Sequence, residues 1–345
     1  MNPFSTLKYI PHSKELLDIA FARASKLTLP KSKKKAHVRS RTKEIAKLNK
    51  VEDLLTNRLQ EIVKYFPNFD EIHPFYRTLA DTTVPIDKLR QALASVTSAV
   101  RVIKKIVRES IQKLKRVETS ADARRIRSAA YGRVSSVIKR IELRLTLIQQ
   151  AAKEYRRFPS INLDRPVIVI AGFPNVGKSS LVTRLSSATP EIAEYPFTTK
   201  TISVGHLTLD SGELQVLDVP GLLDRPMNER NVVEQRAIAA IQYLADVIVY
   251  LIDPTLTCGY EVSSQAALFQ EITGAFQEVE IIPVINKSDI ATEEEVQKTR
   301  SLIQQNNIPI LSTLTGKNVD SVFRDIIAHS EKIREKLQRR LAQHP

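Results

Sequence analysis

The stretch Gly172-Phe-Pro-Asn-Val-Gly177-Lys178-Ser179 decides the fold of the second half of this 345-residue chain. It fits the pattern G-x-x-x-x-G-K-[ST] and follows an apolar run, so a buried strand leads into a glycine-rich turn and then a helix. Backbone N–H groups and the helix N-terminus of such a loop surround a β-phosphate. The predicted phosphate-binding residues are Gly172, Phe173, Pro174, Asn175, Val176, Gly177, Lys178, Ser179 and Ser180.

Two later segments have the residue types needed for a metal ion and a γ-phosphate. A threonine of the pair Thr198-Thr199 can bind Mg²⁺ through its hydroxyl and the γ-phosphate through its backbone. The pattern leaves open which threonine does so. The strand predicted at Leu214–Leu217 ends in Asp218, Val219, Pro220 and Gly221, where Asp218 can hold a Mg²⁺-bound water and the Gly221 N–H can meet the γ-phosphate. The predicted metal set is Ser179, Thr199 and Asp218, and the predicted catalytic set is Lys178, Thr199, Gly221 and Asn175.

Two further strand ends indicate which base is recognised. The apolar run 281–285 is followed by Asn286, Lys287 and Asp289, and the Asp289 carboxylate can accept both N–H donors of the guanine edge. The run 308–311 is followed by Ser312, Thr313 and Leu314, where a backbone N–H can contact the guanine O6. These motifs lie in order at the carboxyl ends of alternating strands, where α/β folds bind ligands. The nucleotide is therefore predicted to be GTP or GDP, and the reaction GTP hydrolysis.

Alternating apolar runs and helical patterns predict the architecture of this half. Strands are expected near 166–171, 201–209, 213–218, 246–253, 279–285 and 308–312, and helices near 178–188, 229–244, 261–275, 292–305 and 317–341. A short turn joins the second and third strands, which predicts a hairpin. The prediction is a Ras-like P-loop GTPase domain of class α/β, with a six-stranded, mostly parallel sheet and one antiparallel edge.

The first half differs in charge and in periodicity. Residues 1–160 carry 35 Lys and Arg against 15 Asp and Glu, whereas residues 161–345 carry 17 against 23. Apolar seams with 3,4 spacing predict one long helix over about 86–114 and another over about 120–156, with a further helix that ends near Pro67. We predict an all-α antiparallel helical bundle at 1–160, a GTPase domain at 161–330 and a basic helix end at 331–345.

A net charge of +20 over 160 residues favours a polyanionic partner for the bundle. The predicted RNA contacts are the two densest basic clusters, Lys33, Lys34, Lys35 and Arg124, Arg125, Arg127. A single cysteine, the lack of an apolar run of about 18 residues and the lack of a signal-peptide pattern favour a cytoplasmic protein without a membrane span. We expect it to be a monomer in solution.

Beyond the generic motifs, the chain resembles the nucleolar GTP-binding protein family, Obg-related GTPases of large ribosomal subunit assembly. The resemblance includes Asp70-Glu-Ile-His-Pro-Phe-Tyr76, Tyr131-Gly-Arg133, Phe158-Pro-Ser-Ile161, Pro196-Phe-Thr-Thr-Lys200, Gly205-His206, Glu229-Arg-Asn231 and Cys258-Gly-Tyr260. Two features depart from the family: a long C-terminal extension is missing, which suggests an archaeal-type short form, and Thr313 replaces the usual alanine.

The resemblance implies a ribosome-assembly factor that docks on rRNA of the large subunit or its precursor. Leu222 stands where Ras-like GTPases have a glutamine that orients water, so intrinsic turnover is expected to be slow. Related GTPases with asparagine at the place of Asn175 bind K⁺ there; the alternative is that Asn175 only stabilises the loop turn. Two other functions stay open: a regulatory switch that binds a protein partner or acidic membrane surface, and a scaffold that binds GTP without turnover.

Overall fold

The computed structural model describes residues 1–28, 30, 35–194, 201–209, 212–219, 223–226, 229–230 and 232–328. Contacts divide the chain into two compact units. The helical unit comprises residues 3–72 and 84–156, and the nucleotide unit comprises residues 1–2, 73–83 and 157–345. The units therefore alternate along the chain, whereas the predicted domains follow one another. In the described residues, no helix is long and apolar enough to cross a membrane.

The described part of the helical unit contains α1 (Ser13–Ser25), α2 (Ala36–Tyr65), α4 (Ile86–Lys115), α5 (Ser120–Arg140) and α6 (Glu142–Tyr155). The seam predicted for α4 is its packed face: Leu89, Val96, Ile103 and Leu114 are fully buried. Helix α4 packs on α2, α5 and α6, and each fully buried Leu or Ile contributes about 1.5–3 kcal/mol through the hydrophobic effect. The predicted bundle of long helices is confirmed.

The single helix predicted over 120–156 is wrong, because the chain turns at Ile141 between α5 and α6. Neither proline nor glycine marks this point. The turn brings the Glu142 carboxylate to the start of α1, where it accepts the Ser13 N–H at 2.8 Å and lies 3.1 Å from His12 Nδ1. A tertiary contact with residues more than a hundred positions away thus accompanies the break. The spacing of apolar residues along the helix gives no sign of such a contact.

The described residues of the nucleotide unit form a six-stranded mixed sheet. Its strands are β1 (Val167–Ala171), β2 (Glu191–Glu194), β3 (Thr201–Leu209), β4 (Gly212–Asp218), β5 (Val247–Ile252) and β6 (Glu280–Ile285). Their order in the sheet is β2-β3-β4-β1-β5-β6. Strands β4, β1, β5 and β6 are parallel, and β1 and β5 are completely buried, as continuous apolar runs predict. The predicted hairpin is the antiparallel pair β3 and β4.

The helices of this unit are α3 (Pro74–Thr83), α7 (Lys178–Leu185), α8 (Val232–Ile241), α9 (Val262–Ala275) and α10 (Glu293–Ile303), together with helical residues 319–328. A capping box of Thr292 and Glu295 begins α10. Each predicted helix is present, although the remainder of the one predicted at 317–341 lies outside the described residues.

One predicted strand is wrong in extent. Residues 308–312 form only an isolated parallel bridge between Ile310 and Ile285. Pro309 has no N–H to donate, so the ladder cannot extend from Ile310 toward residue 308. The sixth strand is instead β2, an edge strand of four residues that pairs with β3 and has too short an apolar pattern to be predicted.

Helix α3 belongs to the nucleotide unit although it precedes β1 by more than eighty residues in sequence. It packs against α8, the helix that follows the Asp218–Gly221 segment. The buried Tyr76 hydroxyl donates to the Pro159 carbonyl at 2.9 Å and accepts the Ile161 N–H at 3.1 Å. Burial raises the pKa of Tyr76 to about 12, so the hydroxyl stays protonated and able to donate. Two family-like segments of the sequence, Asp70–Tyr76 and Phe158–Ile161, therefore meet at one side chain.

Candidate nucleotide-binding site

The phosphate-binding loop depends on two glycines with left-handed backbone. Gly172 has φ +131° and Gly177 has φ +106°. A Cβ atom at Gly172 would collide with the Leu251 carbonyl oxygen, and one at Gly177 would collide with the Asn286 side-chain nitrogen. No other residue type fits either position without moving its neighbours. The loop thus has the tight shape in which its backbone N–H groups can surround a phosphate.

Lys178 begins α7 directly after the loop. Its side chain is 7 % exposed, and its ammonium donates to the carbonyls of Gly172 and Phe173, both at 2.7 Å. The cation is therefore held against the loop itself, beside the N-terminus of α7. This arrangement concentrates positive charge where the sequence predicts the β- and γ-phosphates.

Ser179 on α7 and Asp218 at the end of β4 lie in contact at the carboxyl edge of the sheet. The Ser179 hydroxyl donates to Asp218 Oδ2 at 2.5 Å, and Asp218 is completely buried at the end of β4. A hydroxyl and a carboxylate oxygen placed together are hard oxygen donors of the kind that Mg²⁺ prefers. The two residues fit a magnesium ion, while the third predicted ligand, Thr199, lies outside the described residues together with Thr198, Pro220 and Gly221.

Asn286 joins the glycine-rich loop to the segment 312–314, which is predicted to contact the base. Its Nδ2 donates to the Val176 carbonyl at 2.8 Å and to the Thr313 hydroxyl at 3.0 Å, and its Oδ1 accepts the Thr313 N–H at 2.9 Å. All of these groups are buried. Thr313, which departs from the alanine usual in the family, thus supplies a side-chain acceptor to Asn286 in addition to its backbone donor.

The carboxylate of Asp289, which is predicted to read the base, is also held in place. Ser312 Oγ donates to Asp289 Oδ1 at 2.5 Å, which orients the carboxylate of an otherwise exposed side chain. Arg184 on α7 donates to the carbonyls of Thr313 and Leu314, both at 2.9 Å. Val219 is buried beside Asp218, and Leu314 is 77 % exposed. Asp289, Ser312 and the predicted phosphate-binding residues therefore belong to one connected cluster at the carboxyl edge of the sheet.

Asn175 and Pro174 occupy the outer part of the phosphate loop. Asn175 is exposed and has φ +63°, a left-handed conformation that asparagine tolerates better than most residues. This backbone geometry fits the interpretation of Asn175 as a turn residue and leaves its side chain accessible. Ser180, which follows Ser179 on α7, is exposed as well.

The predicted RNA contacts differ in their surroundings within the helical unit. Lys35 precedes α2 and is exposed, whereas Lys33 and Lys34 lie outside the described residues. Arg124 and Arg125 are exposed on the first turns of α5. Arg127 is half-buried: its Nε lies 3.1 Å from the buried Glu44 carboxylate, and its guanidinium lies 5.2 Å from the Tyr131 ring centroid. Arg127 is already engaged inside the unit.

Comparison with known proteins extends these observations. The model of the NOG1 N-terminal helical domain matches residues 4–162, and that of nucleolar GTP-binding protein 1 (NOG1) matches residues 232–289. A Methanocaldococcus jannaschii protein is 34% identical over 298 residues, which cover 86% of this chain and 83% of that protein. The chain belongs to the nucleolar GTP-binding protein 1 family.

Named members of the family are longer than this chain. Nucleolar GTP-binding protein 1 of Drosophila melanogaster is 32% identical over 315 residues, which are 89% of this chain and 48% of that protein. The chain spans about half the length of such relatives. A solved structure of a Plasmodium falciparum nucleolar GTP-binding protein 1 is 29% identical and covers 55% of this chain and all of its own, with a TM-score of 0.43. The family models and the sequence identities, taken together, confirm the family resemblance inferred from the motifs.

Several side chains of the site have no motif that would reveal them in the sequence. Arg184 on α7 bonds to the segment 312–314, and Asp253, after β5, bonds to Lys287 of the turn 286–289 that is predicted to read the base. Both are ordinary residue types at helix and strand ends. Their partners lie 34 to 130 positions away, so only the folded chain identifies them.

Proposed function

We propose that this chain binds GTP with Mg²⁺ and hydrolyses it slowly, and that its basic helical unit binds rRNA of the large ribosomal subunit or its precursor. The observation that carries the nucleotide part is the Asn286 network, which bonds the phosphate loop to the base-reading loop. Phosphate binding and base recognition thus share one set of hydrogen bonds.

Each residue in the site has a definite task in this proposal. Lys178 and the N-terminus of α7 stabilise negative charge that develops on the phosphates during transfer. Ser179 and Asp218, with Thr199, would hold Mg²⁺, which would supply positive charge to offset that of the phosphates. Asp289 accepts from the guanine edge, and the Gly221 N–H orients the γ-phosphate. Leu222 has no group that could orient water, which is why intrinsic turnover is proposed to be slow.

The ribosomal partner rests on charge and on family. The helical unit lies within a half of the chain that carries 35 basic against 15 acidic residues, and Lys35, Arg124 and Arg125 are exposed in it. Relatives named nucleolar GTP-binding proteins are consistent with a partner in ribosome assembly. The basic surface of the helical unit attracts phosphates largely through release of counterions. We also propose that the chain acts as a monomer in the cytoplasm.

Reversing the exposed charges tests the RNA proposal. In the full chain, Lys35→Glu, Arg124→Glu and Arg125→Glu together are expected to lower the affinity for purified large subunits, measured by co-sedimentation, on the order of 30-fold. With each lost phosphate contact fewer counterions are released, so the slope of log K against log salt becomes shallower by about 0.7–0.9 per contact. GTP affinity should stay unchanged. Lys33 and Lys34 can be reversed in a second variant. Arg127 is left intact, since its loss would remove the nearer of the two cations that lie beside the buried Glu44 carboxylate, Arg127 at 3.1 Å and Lys47 at 3.9 Å.

The matched control reverses three exposed basic residues of the nucleotide unit, Arg165, Lys298 and Arg324, which changes the net charge equally. It should sediment with subunits nearly as the parent does. Two outcomes would contradict docking through the helical unit. One is an equal loss of subunit affinity in both variants, and the other is a parent affinity that does not change between about 50 and 200 mM salt. Binding of the parent to anionic vesicles but not to subunits would favour the membrane alternative.

Stimulation of GTP hydrolysis by potassium is a separate part of the proposal. K⁺ is expected to accelerate GTP hydrolysis over Na⁺ at equal ionic strength by about tenfold, roughly 1.4 kcal/mol of barrier, because a cation near Asn175 would lie where charge develops. Single-turnover phosphate release in the two salts measures the effect.

The choice of variant separates the two interpretations of Asn175. Asn175→Gly keeps a residue at ease with φ +63° while removing the side-chain oxygen. If Asn175 contributes a cation ligand, Asn175→Gly loses the K⁺ effect; if it only shapes the turn, the variant keeps it. Leu222→Ala should change the rate only modestly in both salts. Equal parent rates in K⁺ and Na⁺, with and without subunits, would remove the cation from the mechanism.

A further inference from the structure

Asp253 follows β5 directly and collects an unusual number of hydrogen bonds for a carboxylate with no assigned role. Its side chain is completely buried. Oδ1 accepts the Thr255 N–H at 2.8 Å and the Thr255 hydroxyl at 2.7 Å, and Oδ2 accepts the Cys258 N–H at 2.7 Å and the Thr257 hydroxyl at 3.0 Å. Burial acts to raise the pKa of Asp253, but the bonds from Lys287 and the threonines outweigh it and hold the pKa below its ordinary value. The group is therefore a carboxylate at neutral pH.

The partner of this carboxylate is a residue of the base-reading turn. Lys287 Nζ donates to Asp253 Oδ2 at 2.6 Å and to the Thr257 hydroxyl at 2.7 Å. Lys287 lies between Asn286 and Asp289 and has φ +59°, a left-handed conformation that costs a residue with a Cβ about 1–2 kcal/mol. The ion pair thus holds the side chain of the residue whose strained backbone sets the direction from β6 to Asp289.

The segment that contains Asp253 is itself fixed on both sides. Gln265 on α9 accepts the Asp253 N–H and donates to the Asp253 carbonyl, both at 2.9 Å, and also donates to the Tyr260 carbonyl at 3.1 Å. The Tyr260 ring lies 4.4 Å from the ring of Phe173, the second residue of the phosphate loop. Residues 253–260 therefore connect the phosphate loop to the base-reading turn by a route that does not pass through Asn286.

We propose that Asp253 is a positioning residue for guanine-nucleotide affinity, which acts by holding Lys287 and with it the turn that presents Asp289. The inference rests on the proposed GTP binding and adds to it. The proposed effect is the same for GTP and GDP, because the turn contacts the guanine base, which both nucleotides have, and not the γ-phosphate. Removing the carboxylate charge should weaken the binding of both nucleotides to the same extent and leave the rate of the hydrolysis step unchanged.

The test compares Asp253→Asn with Asp246→Asn in the full chain. Asp246 precedes β5 as Asp253 follows it, and its carboxylate also accepts a backbone N–H, that of Val167 at 2.7 Å, but at the opposite end of the strand. Asp253→Asn is expected to raise the Kd of GTP and of GDP, measured by calorimetry, at least tenfold and to an equal extent. KM for GTP should rise while kcat at saturation stays within twofold. Asp246→Asn should leave both dissociation constants unchanged.

A double-mutant cycle separates positioning from general loss of structure. Asp253→Asn in a Lys287→Met background should weaken GTP binding by less than threefold further, because the pair is already broken. Full additivity of the two losses, or Asp253→Asn with parent affinity, overturns the proposal. If Asp253→Asn fails to fold, the variant Thr257→Val at an exposed position replaces it. The proposal is supported if Thr257→Val raises KM for GTP and if adding Lys287→Met raises it no further. An unchanged KM in Thr257→Val overturns the proposal. A parent chain that binds no guanine nucleotide refutes the proposed function itself.

Discussion

Gly177→Ala is expected to weaken GTP binding at least 100-fold. The residue has φ +106°, and the added methyl group would collide with Asn286 Nδ2 and lie 3.1 Å from the Thr313 hydroxyl. Relief requires moving the amide that joins the two loops, so the phosphate loop and the base-reading loop are disturbed together. The left-handed backbone alone costs about 1–2 kcal/mol with alanine, and the collision adds to it. Isothermal titration with GTP and GDP in Mg²⁺ measures the loss.

Gly132→Ala is the matched control, since it makes the same chemical change in a different environment. Gly132 lies inside α5 and is not among the described residues with positive φ, and an added Cβ there would meet no described atom within 4 Å beyond the adjacent residues and the backbone of its own helix. Alanine there should raise the free energy of unfolding by about 0.5–1 kcal/mol and leave GTP binding as it was. If Gly177→Ala bound GTP within threefold of the parent, the loop would not be the phosphate site.

Asp289→Asn is expected to reverse the base preference. The Asp289 carboxylate, oriented by Ser312 Oγ at 2.5 Å, can accept both N–H donors of guanine, whereas an amide presents a donor where an acceptor is needed. GTP affinity should fall by roughly 100-fold or more, because unpaired polar groups at a recognition site are costly. Xanthosine triphosphate, whose 2-oxo group accepts a hydrogen bond, should bind the variant more tightly than GTP does.

Competition titrations with GTP, xanthosine triphosphate and ATP on the parent and the variant provide the measurement. The exposed Asp320→Asn in the same unit serves as control and should keep the guanine preference. Parallel loss of GTP and xanthosine triphosphate binding in Asp289→Asn would mean that the carboxylate supports the loop rather than reads the base. A parent that binds ATP as well as GTP would refute guanine recognition altogether.

The accuracy of the sequence predictions follows the range of the interactions involved. The face of α4 was predictable because its apolar spacing repeats every three or four residues, and β1 and β5 because completely buried parallel strands are continuous apolar runs. The break at Ile141 was not, since the residues that favour it, His12 and Ser13, lie far away in sequence. Residues 308–312 differ, because the proline that limits them to a bridge lies within the segment and is a local signal that the apolar pattern outweighed.

Local sequence patterns were enough to predict the glycine-rich loop, five of the six strands of the nucleotide unit, and the basic helical character of the first half. Those features depend on local requirements: glycine where φ is positive, a buried strand before the turn, and a regular apolar seam. Only the tertiary structure decided that α3 packs against α8, that Arg127 pairs with Glu44, and that Asp253 holds Lys287. These are pairings between distant residues of common types, whose energies arise from burial and close approach after folding and leave no periodic trace in the chain.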